Sequence, residues 1–433
     1  MSDRLPDLDV AFLREMAVDV VEASRVRPGE SVAGCGPNET GGTLIRPGGR
    51  TCYPAFWIRD FTMSLGSGLI GPEELRHALL LTAALQAPDD WVTGSGSLVP
   101  RGAIADHITF GGKPIFFPGT LEDYEHQGGE WGRYPSLDDH YFFVEMAWYL
   151  ACRHGLSGAL GEEVHGMRLI DRLNLAFEVP PVREDTQLVW CGESNRGVSF
   201  GFTDSIIHTG ELLFCSLLRL RAARQMSELH GMMGSQAAAT RYERISRTIW
   251  EHVPRVFGRP SGLLSASTGK SAQADVWGSA FAVYTGALGD AEAKGVCRAL
   301  SEALSRGTLS WKGQVRHVPT DGDFDGHTAW ESTTGDYPKN RYQNGAYWAT
   351  PTGWVCYAVA QEDEAAARGL AAALIEELKA GDFRRGAQYG APFECVHPEG
   401  GLEQNAVYLT SVTCPLAAFE RLGWGGADAA AER

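Results

Sequence analysis

Five separated stretches carry most of the residues with chemistry to offer. The first, YPAFWIRDFTMSL (residues 53–65), sets Arg59 and Asp60 side by side in an aromatic and aliphatic run, two residues after Trp57. A charged group is costly to bury unless it is paired or hydrogen-bonded, so this pair must be holding something. The second, WGRYPSLDDHYFF (131–143), carries Asp138, Asp139 and His140, and the third, SNRGVSFGFTDS (194–205), carries Asp204. The fourth joins DGDFDGHTAWE (321–331), ending in Trp330 and Glu331, to NRYQNGAYWATPTGW (340–354), with Asn344, Tyr347 and Trp348. The fifth, APFECVHPEGGLEQN (391–405), carries Glu394, His397 and Glu403. Carboxylates supply acid–base chemistry. Tryptophan and tyrosine faces stack on the C–H faces of sugar rings. The combination points to glycosidic bond cleavage, in which two carboxylates flank the scissile oxygen.

Each residue also has a plainer reading. Asp60, Asp139 and Asp204 stand at the starts of expected helices, where Asp is a favoured N-cap. Capping lowers a carboxyl pKa, which counts against a general acid. Arg59–Asp60 also reads as a buried structural pair, and the aromatic residues of 342–354 as core. His140 and His397 read as hydrogen-bonding residues, since no metal-ligand spacing surrounds them. DGDFDG is similar to the start of a calcium loop, with Asp321, Asp323 and Asp325 at the first ligand positions. Ser332 occupies the twelfth position, where the loop needs an acid, and Glu331 is one place early. A solvated acidic loop is therefore the default, and no cofactor is expected.

The elements that must position these residues are nearly all helical. Apolar residues recur at three- and four-residue spacing in twelve stretches: 9–24, 60–70, 72–86, 138–154, 160–177, 204–230, 235–256, 274–288, 290–305, 345–360, 362–379 and 405–422. Strand-like alternation is short and confined to the links. The connections alternate between short and long, the long ones being 25–59, 87–137, 178–203, 306–344 and 380–404. Long loops in a compact domain are often functional. Twelve helices in six hairpins close into an all-α (α/α)6 toroid with every long loop at one end, forming the mouth. No linker divides the chain, so residues 1–425 are expected to form one domain, with 426–433 a frayed tail.

Composition narrows the partners. The 433 residues carry a net charge of −16, which disfavours nucleic acid and anionic membrane and suits a neutral, polyol-like substrate. The N-terminus lacks the apolar core of a secretory signal, and no apolar run reaches membrane-spanning length. The nine cysteines are scattered without a C-x-x-C, which reads as reduced core thiols in a cytoplasmic protein.

On these residues the chain resembles the six-hairpin glycosidases, which include glucoamylase, trehalase, neutral invertase and debranching-type glucosidases. W-x-R-D, here Trp57, Arg59 and Asp60, looks like their first-loop motif, in which Arg and Asp hydrogen-bond the terminal sugar. SLDDHYFFVEMAWYL, GFTDS, QADVWGSAFAVYTG, PKNRYQNGAYWATPTGW and FECVHPEGGLEQNAVYLTSV resemble family segments in the same order, from about residue 50 to 420. The full trehalase signatures and the rhamnosidase pattern are absent.

The resemblance implies an exo-acting, anomer-inverting glycoside hydrolase acting on a short oligosaccharide or glycoside. Asp204 would be the general acid and Glu394 the general base, with Asp139 and Glu331 in reserve. Arg59, Asp60 and Asp139 would bind sugar hydroxyls, and Trp57, Tyr347 and Trp348 would form a stacking wall. His140, Asn344 and His397 would add hydrogen bonds, and Trp330 lies beside the reserve base. The alternatives on the same barrel are an unsaturated uronyl hydrolase or a sugar epimerase. The epimerase would use histidines facing across the pocket, drawn from His140, His208, His327 and His397. A non-catalytic carbohydrate-binding protein is the third reading.

Overall fold

The computed structural model describes residues 8–50, 52–93, 96–117, 132–335 and 337–425. The expected tail at 426–433 and Trp131 of the second stretch lie outside them. Twelve α-helices occur among the described residues: α1 (Val10–Ser24), α2 (Ile58–Ser64), α3 (Pro72–Ala84), α4 (Asp139–Trp148), α5 (Leu169–Phe177) and α6 (Leu213–Met232), then α7 (Gln236–Phe257), α8 (Val276–Tyr284), α9 (Asp290–Ser305), α10 (Thr352–Val359), α11 (Glu364–Ala380) and α12 (Thr410–Arg421).

The helices fall into two kinds. In α7 the buried residues are Ala239, Tyr242, Ser246, Ile249, Val253 and Phe257, a single stripe at three- and four-residue spacing. α11 shows the same one-sided pattern, with Ala367, Leu370, Ala371, Leu374, Ile375 and Leu378 buried. By contrast α4 is buried at every position from Asp139 to Ala147, and α8 from Val276 to Ala282. A helix buried on all sides must be enclosed by others. The packing agrees: α2 lies on α4, α4 on α6, α6 on α8, α8 on α10, α10 on α12, and α12 returns to α2. The odd-numbered helices lie against this series, with α1 on α12, α3 and α5 on α4, α7 on α6, α9 on α8 and α11 on α10. One contiguous apolar core runs from Val10 to Trp424.

Four helices start five or more residues later than their periodicity predicts, because the preceding residues pair as strands. The 160–177 stretch opens with a hairpin, Glu163–Val164 against Met167–Arg168, turned by His165 and Gly166 at positive φ. The 204–230 stretch becomes helical only at Leu213, because Gly210–Glu211 pairs with Trp190–Cys191. The other two delays, before α10 and α12, belong to an antiparallel five-stranded sheet built from the two last long links. Its order is Ser310–Trp311, Gln314–Arg316, Tyr347–Trp348, Phe393–His397 and Leu402–Ala406. The all-α body thus carries a sheet in its connections, with Trp348 opposite Cys395 and Cys395 opposite Gln404.

The N-cap reading of the three aspartates is corrected. Asp60 is the third residue of α2, Asp139 the first of α4, and Asp204 follows a 3-10 turn, Gly201–Thr203. The aspartates whose side chains do cap α-helices are Asp9, Asp275 and Asp363.

The sheet opens on a two-residue turn, Lys312–Gly313, with both φ angles positive at 49° and 76°. This is the turn geometry that matches strand twist. A Cβ on Gly313 would lie 2.0 Å from the backbone nitrogen of Leu374 in α11. Gly313→Ala is therefore expected to destabilise the protein in urea titrations by about 2–4 kcal/mol, combining left-handed strain with overpacking. Lys312→Gly, which relaxes the turn, should change stability by less than about 1 kcal/mol.

Candidate active site

All five long connections meet at one cavity of about 270 Å³. Tyr53, Trp57, Arg59 and Asp60 enter it from the first connection and the start of α2. Asp106 and His107 come from the second, and Phe202 and Asp204 from the third. Tyr337 and Tyr342 come from the fourth, and Glu394, Gln404 and Tyr408 from the fifth and its run into α12. The cavity is smaller than the usual range of drug-sized ligand sites, about 300–1,000 Å³, and its polar groups come from every side.

Arg59 organises the floor. Its Nε donates to Asp138 Oδ2 at 2.5 Å, and its Nη2 reaches Asp138 Oδ1 at 3.0 Å, Asp139 Oδ1 at 3.0 Å and Asp106 Oδ1 at 3.1 Å. Asp106 Oδ2 lies 2.8 Å from His107 Nδ1, and the His107 ring stacks on Trp57 at 4.2 Å. A short sheet sets this up by pairing Trp57 with His107. Burial works to raise the Asp106 carboxyl, but Arg59 and His107 outweigh it and hold the group below the usual carboxylate range. Asp139 goes the other way: it is fully buried, its Oδ2 has no partner, and burial raises its carboxyl well above the normal value. Arg59 and Asp60 are therefore both buried but not paired with each other, the partners of Arg59 being Asp106, Asp138 and Asp139. Asp60 instead accepts from Tyr408 Oη at 2.7 Å.

Asp204 and Glu394 share the cavity but differ in their hydrogen bonds. Glu394 Oε1 accepts from Tyr53 Oη at 3.0 Å, and its Oε2 accepts from Asn405 Nδ2 at 2.5 Å. Two donors on one carboxyl favour its ionised form. Asp204 is held by the Gln343 side chain, whose Oε1 is fixed by the Ser205 amide and hydroxyl at 2.6 and 2.8 Å. Its Oδ1 is buried and has no hydrogen-bond partner. Burial does not separate the two, pushing Asp204 up to about 7 and Glu394 up to about 8. It also raises Asp60 to about 6. Asp204 also has two donors, Gln343 and the Ser205 amide, so the distinction is that both oxygens of Glu394 are held whereas Asp204 Oδ1 is not. Tyr53 and Tyr342 bring their hydroxyls to 3.3 Å, and both stand at a φ of 46°. Left-handed backbone in bulky residues is strained and clusters at functional sites.

Several residues expected to line the site lie elsewhere. Tyr347 and His397 stack on each other along the five-stranded sheet, at 5.4 Å, and His397 Nδ1 accepts from the Glu399 amide. Trp348 is fully buried and packs beneath Phe202 and Tyr342, the rings that do line the cavity. Trp330 sits in a small separate apolar cluster and donates to the Gln343 carbonyl at 3.3 Å. Asn344 accepts from the Ala329 amide and donates to the carbonyl of Tyr337. Trp348 and Asn344 thus support the wall, so the core reading of the aromatic residues of 342–354 holds for Trp348 but not for Tyr342, which lines the cavity. The reserve base Glu331 is exposed and accepts from the Ser271 amide, and the reserve acid Asp139 lies behind Arg59. His140 is buried under Ile104, whose amide it accepts, and burial lowers it to about 3. His107 lines the cavity, whereas His140, His208, His327 and His397 do not.

The acidic loop also resolves. Asp323 is held between Arg316 and Lys339, Asp321 faces Arg306 at 3.6 Å, and Asp325 accepts from the His327 and Thr328 amides. Among the described residues no three metal-ligating side chains gather.

Tyr53, Asp106, His107, Gln343, Asn405 and Tyr408 were not singled out from sequence. Asp106 and His107 lie mid-loop with no periodic or motif signal, and only the strand pairing to Trp57 brings them in.

No family model matches the chain, and no curated protein matches its sequence. Solved structures do match in fold. A family 15 glucoamylase from Hypocrea jecorina superposes with a TM-score of 0.62 at 12% identity, covering 97% of this chain and 74% of that one. A mannosylglycerate hydrolase of family GH63 from Thermus thermophilus, in complex with glucose, gives 0.55 at 13%, covering 94% and 99%. A rhamnosidase from Klebsiella oxytoca with rhamnose bound gives 0.55 at 12%, covering 98% of this chain and 66% of that one. The chain has the fold of the six-hairpin glycosidases.

Removing the floor cation has a definite expected outcome. Arg59→Met leaves buried carboxylates uncompensated and should cost about 3–5 kcal/mol near neutral pH. The loss should shrink as the pH falls and those carboxyls protonate, which denaturant titrations at pH 7 and pH 5 would show.

A second expectation concerns wild-type stability. Asp60, Asp204 and Glu394 have folded values of about 6, 7 and 8, against about 4 for free carboxyls. Between those values the native state binds more protons than the unfolded chain, so their contribution to stability falls as pH rises. In the absence of sugar, Tm should be higher at pH 5 than at pH 8. Asp204→Asn and Glu394→Gln should each flatten that slope.

Proposed function

We propose that the chain is an exo-acting glycoside hydrolase that removes one terminal sugar, with inversion, from a short oligosaccharide or glycoside. The observation that carries this reading is the pairing of Asp204 and Glu394 on one cavity in opposite hydrogen-bond settings. Asp204, with its Oδ1 free of protein partners, is suited to hold a proton and deliver it to the glycosidic oxygen. Glu394, held by Tyr53 and Asn405, is suited to take a proton from a water attacking the opposite face. Inversion calls for carboxyls roughly 6.5–9.5 Å apart to admit that water.

The remaining lining groups fit one sugar ring. Asp60 offers a carboxylate to hydroxyls, and the Nη1 edge of Arg59 has no protein partner among the described residues. Trp57, stacked on His107, offers a ring face. The small cavity suits a single residue, and two of the similar structures hold a monosaccharide, rhamnose or glucose. We read the long connections as the mouth of an (α/α)6 toroid and the chain to residue 425 as one catalytic domain in the cytoplasm. No helix among the described residues is long and apolar enough to cross a membrane.

The test is a panel of aryl and disaccharide α- and β-glycosides, with the released sugar followed by proton NMR. One sugar released in inverted configuration is expected. Asp204→Asn and Glu394→Gln should each lower kcat by about 10²–10⁴-fold while ligand binding persists. Retention would overturn the inverting geometry. Conversion of a free sugar with no glycoside cleaved would mean epimerisation, and binding without turnover would mean a carbohydrate-binding protein.

A further inference from the structure

A second polar cluster lies under the segment that carries Asp204, away from the candidate active site. His208 is 5% exposed, and its Nδ1 lies 2.9 Å from Ser199 Oγ, which lies 3.2 Å from Thr203 Oγ1. The direction of this chain can be read. Thr203 Oγ1 donates to the Phe200 carbonyl at 2.8 Å, so it accepts from the Ser199 hydroxyl. Ser199 Oγ then accepts from His208 Nδ1–H. His208 Nε2 is left as a bare acceptor, and it is buried without a partner. Burial keeps this ring neutral, lowering it to about 3.

Across a gap stands His317, 2% exposed and stacked flat on Trp277 at 4.1 Å. Its Nε2 lies 2.9 Å from Asp275 Oδ1, but neither ring nitrogen makes an aligned hydrogen bond. Asp275 Oδ1 is already committed to the Gly278 amide at the start of α8. Both imidazoles line a small cavity of about 10 Å³, together with Ser199, Thr203 and Asp275 and the apolar Leu212, Phe214 and Ala266. A volume near 10–15 Å³ is about what one water needs, and a buried water requires two to four polar partners. Unpaired buried donors and acceptors are otherwise rare.

We propose that one buried water occupies this cavity, donating to His208 Nε2 and bonding His317, and that it ties the segment bearing Asp204 to the start of α8. Asp204 directly follows Thr203, the far end of the chain of hydroxyls. Its other side is held by Gln343 and by the Thr334 amide on the Ser205 carbonyl. The water supplies the tie from below. His208 and Ser199 are positioning residues that act through Thr203. They do not touch the cavity of the candidate active site.

A crystal structure should show one water within hydrogen-bond distance of His208 Nε2; a dry cavity overturns the proposal. His208→Leu should speed amide hydrogen exchange across residues 200–206 by about tenfold or more, leaving the helices unchanged. Ser199→Ala keeps the cavity but breaks the link to Thr203, and should give the same local acceleration if the leucine variant fails to fold. Exchange within twofold of wild type in the variants that fold overturns the tie. Neither readout depends on catalysis, so they stand apart from the glycosidase reading on which the last one rests. In the active enzyme these variants should lower kcat by about tenfold or more with KM within twofold, as a misplaced catalytic group would. An unchanged kcat would overturn the positioning role.

Discussion

The floor of the candidate site depends on one buried guanidinium. Arg59 joins the start of α2, the mid-loop residue Asp106, and Asp138 and Asp139 at the start of α4. A cation in that position is tolerable only because carboxylates surround it, and they are tolerable only because it is there. Three separated pieces of chain are thus locked by one charge balance. The balance is uneven, and that shapes the site. Arg59 faces three aspartates, and among the described residues no second Lys or Arg lines the cavity. The carboxyls that face the cavity, Asp60, Asp204 and Glu394, lean on neutral donors such as Tyr408, Gln343 and Asn405. Burial raises all three carboxyls, and these donors offset it only in part.

The second constraint is the sheet formed by the last two long links. It places Glu394 on one strand and Asn405 on its neighbour, so the carboxyl and its donor meet by register. It also consumes Tyr347, Trp348 and His397, which pack along the sheet or behind the cavity. The rings that face the cavity are Tyr53, Trp57, Phe202, Tyr342 and Tyr408. Aromatic residues do line the cavity, as their presence in the long links leads one to expect. Which of them face it was not legible, because strand alternation sends adjacent side chains to opposite sides.

Much of the body was legible in advance. Twelve apolar stretches became twelve helices. Five charged and aromatic links converged on one cavity, with Trp57, Arg59, Asp60, Asp204 and Glu394 all on it. Asp106, His107 and Asn405 were not legible. They sit in irregular links where no period marks a face, and their roles arise from pairing between strands that no local pattern announces.

The division follows from the range of the forces. Helical periodicity is set by burial of neighbours three and four residues apart, so the sequence alone determined which segments hold helices. Charge and composition likewise determined that the site is acidic and aromatic. What Arg59 holds was decided only by the tertiary structure, since a charge's partner is whatever carboxylate folding brings within hydrogen-bond reach. The same applies to Asp204 and Glu394. Both are visible as carboxyls in sequence, but the groups that hydrogen-bond them, Gln343 for one and Tyr53 with Asn405 for the other, reach them only through the fold.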